Sequence, residues 1–291
     1  MLSAERAAMI LLTFCVDIGK FPKETLLSAA SAWLDGIFKT RAKVDRIIIF
    51  TNMPLRVCAN HCIELRPFDE NDISSTSRRL WQDLISLKFK YYLWLLKEFG
   101  ESPIWIDLDT YIANNIDYMD DLGEFCTMLG TSEERIMQLV AGHPRFSVPR
   151  HAMINTSIFK ISENFAEEVI SLVGTYKGLL PLGDQDAFNI AYHFSNMKMD
   201  VLGKDVCKEK VFSYDAWNAE VAEHINELNS LNLSWDSSGR LISRLYSGKA
   251  VDIVQFCFYK FDQLLHLELI DQNPFLAEWK RSASKGLVEL R

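Results

Sequence analysis

Apolar residues along this chain recur with two different periods, and the order in which those periods alternate outlines a fold. Met9 to Val16 is an apolar run of strand length, and Arg46 to Asn52 is a second, β-branched run that ends in turn residues. Between them, from Thr25 to Lys39, apolar positions return at helical spacing. Strand, helix, strand in that order predicts parallel pairing, because parallel neighbours need a crossover connection and a helix is the usual one. Cys62 to Pro67 predicts a short third strand, Thr76 to Phe99 a long helix stopped by Gly100, and Ile104 to Ile112 a buried strand. Residues 114–149 carry mixed helical and loop signals. Ala152 to Ile161 reads as a strand with polar residues at its centre, followed by Ser162 as the cap of a helix through Leu172. A helix opens again beyond Gly183, residues 218–231 read as helical and 251–258 as the last strand, and Asn273-Pro274 opens a terminal helix. With no repeat, low-complexity tract or linker in view, the expectation is a single α/β domain. Its central sheet is mixed but mostly parallel, Rossmann-like, and flanked by helices.

The predicted strand Ile104–Ile112 holds two carboxylates, Asp107 and Asp109, where apolar residues are expected. On one continuous strand, residues two apart share a face, so both acids would point the same way. Burial and mutual repulsion raise such carboxylates unless a cation or hydrogen-bond donors favour the charged form. A hard divalent ion is the simplest compensation, since Mg²⁺ or Mn²⁺ accepts one or two carboxylates completed by phosphate oxygens and water. The competing expectation is a strand end with solvated acids.

Composition narrows the field. The net charge of −8 comes without a basic block or stripe, so the electrostatic footprint of nucleic-acid binding is missing. Six cysteines are scattered, and Cys58-x-x-x-Cys62 with His61 between them has no second pair to complete a zinc site. Buried free thiols in a reducing, cytoplasmic setting are expected instead. The apolar run at Ala8–Val16 is too short to span a bilayer and no cleavage site follows it, so neither a leader nor a transmembrane segment is expected. Asn155-Thr156-Ser157 and Asn232-Leu233-Ser234 then read as chance matches to the glycosylation signal.

Three short motifs in order carry a resemblance: Asp107-Leu108-Asp109, then Asn155-Thr156-Ser157-Ile158-Phe159, then Gly183-Asp184-Gln185-Asp186-Ala187-Phe188-Asn189. The chain resembles the GT-A fold glycosyltransferases, nearest to the glycogenin and lipopolysaccharide galactosyltransferase family. The resemblance implies a nucleotide-binding part over about 1–113 and a part handling donor sugar and acceptor over about 114–291. It implies a nucleotide-sugar donor, first among them a UDP-sugar, and a saccharide or other hydroxyl acceptor. Asp107 and Asp109 become ligands of Mn²⁺ or Mg²⁺, and Asp184 and Gln185 the groups beside the donor sugar, with retention of configuration. Asn155, Asp186, Lys88, Lys260, Thr13 and Asp17 become candidate substrate contacts, with Lys90 beside Lys88 as a second basic candidate.

The pattern is broken at one place. Where the family carries a third metal ligand, a histidine, this chain has Gln255, whose amide oxygen is a weaker, neutral donor. His266 is the alternative, although its apolar setting suits a core histidine; the other five histidines show no metal-ligand spacing. Asp184 and Asp186 would equally suit a plain helix start, as cap and dipole partner. Two further function classes stay open. Nucleotidyl transfer lacks a Gly-rich loop after the first strand, where Thr13 to Lys20 has one glycine, and Gln255 keeps open a binding scaffold with a degenerate sugar-nucleotide site. An inverting reaction on the same frame would make Asp186 the candidate base.

Overall fold

The protein is described from a computed structural model at residues 9–58, 62–72, 80–128, 154–176, 184–194, 199–202, 211–213, 232–243, 249–256 and 273–291. The expected opening is present as β1 (Ile10–Phe14), α1 (Lys23–Thr40) and β2 (Arg46–Thr51), with β1 and β2 parallel. A short β3 (Leu55–Val57) precedes β4 (Ile63–Pro67), and α2 (Leu80–Phe99) leads to β5 (Ile104–Ile106). Beyond β6 (Thr110–Ile112) and α3 (Tyr118–Asp121) come β7 (Phe125–Met128), β8 (Ile154–Lys160), α4 (Glu163–Thr175), α5 (Asp184–Phe194) and β9 (Asp200–Leu202). The central sheet has seven strands in the order β4-β2-β1-β5-β8-β7-β9. It is parallel from β4 through β5, antiparallel at β5/β8 and β8/β7, and parallel again at β7/β9. The molecule is therefore α/β with a mostly parallel, Rossmann-like sheet.

Alternation along the strands feeds two apolar layers. Leu11, Ile47 and Ile49 pack on one face with Trp33, Leu34 and Ile37 of α1, while Leu12, Ile48 and Phe50 pack on the other with Phe89, Tyr92 and Leu95 of α2. With α1 and α2 on opposite faces, the chain moves outward from β1 through α1 to β2 and β4, then crosses back through α2 to place β5 on the other side of β1. The sheet order thus reverses between β1 and β5, at the centre of the molecule.

The expected strand Ile104–Ile112 is not one strand. It breaks at Asp107-Leu108-Asp109, and β6 leaves the central sheet to join β10 (Val211–Ser213) and β14 (Ile253–Gln255) in a separate three-stranded sheet. The two carboxylates therefore lie on a turn, and the inference that they share a strand face is corrected. Partner strands from distant parts of the chain force the break. The Asp107 amide donates to the Ser157 carbonyl at 2.8 Å, continuing β5/β8, whereas the Asp109 carbonyl accepts from the Phe256 amide at 2.7 Å, continuing β6/β14. Within the expected 251–258 run, β14 covers Ile253–Gln255, residues 257–258 lie outside the described residues, and β15 (Val288–Leu290) follows as a later strand.

Capping follows the sequence signals. Ser162 caps α4 through the Phe165 amide, and Asn273 caps the terminal helix α6 (Pro274–Ala283) through the amides of Phe275 and Leu276. A hairpin of β11 (Leu233–Trp235) and β12 (Leu241–Ser243) with β13 (Lys249–Ala250), and a pair of β15 (Val288–Leu290) with β3, complete the described elements. Gly36 lets α1 lie directly on β6, for a Cβ there would stand 2.5 Å from the Ile112 carbonyl oxygen. Cys15 and Cys126 are buried as expected, but Cys58 and Cys62 are exposed, which corrects that part of the thiol reading. Among the described residues no helix is long and apolar enough to cross a membrane. The expected helix at 218–231 lies outside the described residues.

Candidate functional site

Thr13, next to the end of β1, and Trp105 of β5 border a cavity of about 80 Å³ near the C-terminal ends of these strands. Its walls include Thr13, Phe14, Lys88, Trp105, Asp107 and Asp109. It stands at the C-terminal ends of parallel strands where the sheet order reverses, the place at which open α/β sheets bind ligands.

Lys88 sits on the stripe of α2 that faces the sheet, one turn from Leu84 and one from Tyr92, and its side chain is almost entirely removed from water. A buried ammonium must use its donors. It donates to the Thr156 carbonyl at 2.9 Å, the Thr156 hydroxyl at 3.1 Å and the Asp184 carboxylate at 2.7 Å, with Asp107 at 3.9 Å. The Thr156 hydroxyl in turn donates to the same Asp184 oxygen at 2.9 Å. Burial works against charge on Lys88, yet the carboxylates of Asp107 and Asp184 outweigh it and raise its pKa above the ordinary lysine value. The ammonium form of Lys88 is thus favoured by its carboxylate neighbours.

Asp107 is half-buried and accepts from the Trp105 indole at 2.5 Å. Burial raises its pKa above the usual carboxylate range and the like charge of Asp184 adds to this, while Lys88, the indole and the Ser157 side chain act in the opposite direction. Asp184 and Asp186 open α5, both buried, and Gln185 between them is half-buried. Asn189, one turn on, fixes that helix end to β8 by accepting from the Ile154 amide at 2.8 Å and donating to its carbonyl at 3.0 Å.

Behind the turn lies a second polar cluster. Asn155 donates to the Gln255 side-chain oxygen at 2.9 Å and accepts from the Ser157 amide at 2.8 Å and hydroxyl at 2.5 Å, while the Gln255 amide donates to the Ser157 hydroxyl. Strand register sets Gln255 opposite Thr110, next to Asp109. Gln255 therefore ties β14 to β8, and its oxygen already accepts a hydrogen bond.

The predicted residues divide accordingly. Thr13, Lys88, Asp107 and Asp109 line the cavity, and Asp184 joins them through Lys88. Asn155 and Gln255 form the adjoining network. Asp17 is away from the cavity wall: it exchanges hydrogen bonds with Asn52, accepts from the Gly19 amide and pairs with Lys23 at 3.5 Å, so it shapes the loop after β1. Lys90 turns outward to Asp72 at 2.5 Å. Lys260 and His266 lie outside the described residues. Sequence reasoning does not single out Thr156 or Trp105. Polar residues at the centre of an otherwise buried strand are the signal for Thr156; for Trp105, only its place two residues before Asp107 hints at a role.

Asp107 and Asp109 give two hard oxygen donors on one cavity wall, a set that suits Mg²⁺ or Mn²⁺ once phosphate oxygens and water complete it. Among the described residues no group of three or more His, Cys, Asp or Glu side chains gathers that could hold a metal ion. Among the described residues this carboxylate pair is what such a centre would draw on. Comparison with the known protein families gives no match, and comparison with curated proteins gives none either.

Proposed function

We propose that this chain is a GT-A type glycosyltransferase that moves a sugar from a nucleotide-sugar donor, a UDP-sugar first, to a hydroxyl acceptor with retention of configuration. One observation carries the reading: Lys88, Asp107 and Asp184, from three elements far apart in sequence, converge at the reversal point of the sheet. A plain helix cap would not need a buried ammonium beneath it. The cavity of about 80 Å³ takes only part of a nucleotide sugar, and the carboxylate wall suits the junction of diphosphate and sugar.

Transfer breaks the bond from the anomeric carbon to the diphosphate, leaving negative charge on phosphate and oxocarbenium-like charge on the sugar. A divalent cation held by Asp107 and Asp109 would neutralise the leaving diphosphate. Lys88 and Thr156 fix the orientation of the Asp184 carboxylate before substrate arrives, so it stabilises developing positive charge without rearrangement. Gln185 follows on the first turn of α5, and its side-chain amide would serve the sugar hydroxyls. Thr13 adds a hydroxyl near the end of β1 on the cavity wall.

The second reading, a sugar-nucleotide-binding scaffold, is favoured by Gln255, whose oxygen is engaged by Asn155. One assay separates the readings. The purified chain is incubated with UDP-glucose, UDP-galactose and UDP-N-acetylglucosamine, with and without Mn²⁺, and products are resolved chromatographically. Slow, Mn²⁺-stimulated release of UDP supports the transferase. Pyrophosphate released in a parallel incubation with UTP and a sugar 1-phosphate points to nucleotidyl transfer, binding without turnover to the scaffold, and no binding of any nucleotide overturns all three.

A further inference from the structure

A second, larger cavity of about 740 Å³ shares no lining residue with the first. That volume is typical of small-molecule sites. It reaches the C-terminal end of α1, at Lys39 and Thr40. Because α1 runs back from the end of β1 to the start of β2, this side lies at the opposite end of the strands from the carboxylate crevice, while another side of the cavity reaches β6 at Tyr111 and Ile112.

The cavity is preformed. Asn114, on its floor, donates to the carbonyls of Leu241 and Val251 and accepts from the Leu241 amide, each at 2.9 Å, clamping the β11/β12 hairpin to the chain after β6. The hairpin loop is itself locked: Asp236 accepts from the amides of Ser238 at 2.9 Å and Arg240 at 3.0 Å, and Gly239 takes φ 77°. Two half-buried aromatic side chains, Tyr118 and Trp235, line the space, with Arg240, Asp252, Glu278 and Arg281 around them.

The charges decide the ligand class. Arg240 is paired with Asp236 at 3.0 Å, Arg281 with Glu278 at 2.6 Å, and Lys39 with Asp35 at 2.6 Å. Each cation among the described lining residues already has a carboxylate, so a phosphate or carboxylate ligand would have to displace one. Paired charges instead present planar donors beside planar acceptors, next to aromatic rings. A pyranose matches that arrangement, since its C–H face packs on an aromatic ring and its hydroxyls both donate and accept.

We infer that the cavity bounded by Trp235, Tyr118, Arg240 and Arg281 binds a neutral saccharide, apart from the carboxylate crevice. It is independent of the glycosyl-transfer reading, because binding here needs neither nucleotide nor turnover. Under that reading it holds a further part of a glycan acceptor.

The test is calorimetric titration of the full chain with neutral oligosaccharides of glucose, galactose, mannose and N-acetylglucosamine, alongside inorganic phosphate. At least one oligosaccharide is expected to bind, and phosphate is not. Trp235→Ala should weaken that binding by about tenfold or more, whereas Trp235→Phe, which keeps a flat ring, should stay within about threefold. Arg281→Ala, an exposed change that leaves the core alone, should weaken it severalfold. Folding of each variant is checked by circular dichroism, and UDP binding should be unchanged in all. Absence of oligosaccharide binding, or full binding by both Trp235→Ala and Arg281→Ala, overturns the proposal whatever the fate of the transferase assay.

Discussion

Lys88 and Asp184 stand 2.7 Å apart with both side chains almost wholly excluded from water. Removing one member of a buried pair leaves the other charge uncompensated, which costs about 3–5 kcal/mol. Lys88→Met should therefore destabilise the protein by that order in urea unfolding. Lys88→Met combined with Asp184→Asn should lose less than the sum of the single changes, because the orphaned charge is gone. Additivity would mean that the two groups do not act as a pair.

Asp109→Asn removes one charge from the cavity wall with almost no change in volume. Its fold should survive, with unfolding free energy within about 1 kcal/mol of the parent. Thermal stabilisation by UDP in the presence of Mn²⁺ should largely disappear, since a ligand raises apparent stability only as far as it binds the native state. Stabilisation equal to wild type would remove Asp109 from any metal centre.

Two helical glycines should respond with opposite signs. At Gly174, in the last turn of α4, an added methyl would meet nothing within 4 Å, so Gly174→Ala should gain up to about 1 kcal/mol of helix propensity. At Gly36 the same methyl meets the Ile112 backbone at 2.5 Å. Overpacking of about 1–3 kcal/mol should exceed the propensity gain there. Thermal unfolding of the two variants gives the comparison.

The joint between α1 and α6 predicts an acid-side loss of stability. Asp35 is buried among Lys39, Lys285 and Ser282; burial alone would raise its pKa, but hydrogen bonds from those three side chains hold it below the usual carboxylate range. A folded value below the unfolded one means stability that is present above about pH 4 and is lost as pH falls through the folded pKa. Urea unfolding from neutral pH downward should show this loss in the parent, and Asp35→Asn should show a shallower one. Equal slopes would exclude Asp35 as a source of acid sensitivity.

Local signals in the sequence carried much of the fold. The apolar runs of β1 and β2, the period of α1, the caps at Ser162 and Asn273 and the start of α5 at Asp184 are all decided by neighbours in the chain, and all stand where the pattern put them. The break at Asp107-Leu108-Asp109 was not legible, because the residues that impose it, Ser157 and Phe256, belong to β8 and to the end of β14. The small β3/β15 pair was equally hidden, joining Leu55 to Leu290 across nearly the whole chain. Of the site, the carboxylates could be named from motif order. Lys88 remained one of two candidate lysines until packing separated them, although its place on the apolar stripe between Leu84 and Tyr92 is itself a sign of burial.

Each aspartate of the Asp-Leu-Asp turn is anchored to a different sheet, Asp107 to the seven-stranded one through Ser157 and Asp109 to the three-stranded one through Phe256. The spacing between the two carboxylates is therefore a measure of how the sheets are seated against each other. Gln255, which laces β14 to β8, acts as a spacer for that measure. A change confined to this lace would retune the bite of the carboxylate pair while leaving both carboxylates chemically intact.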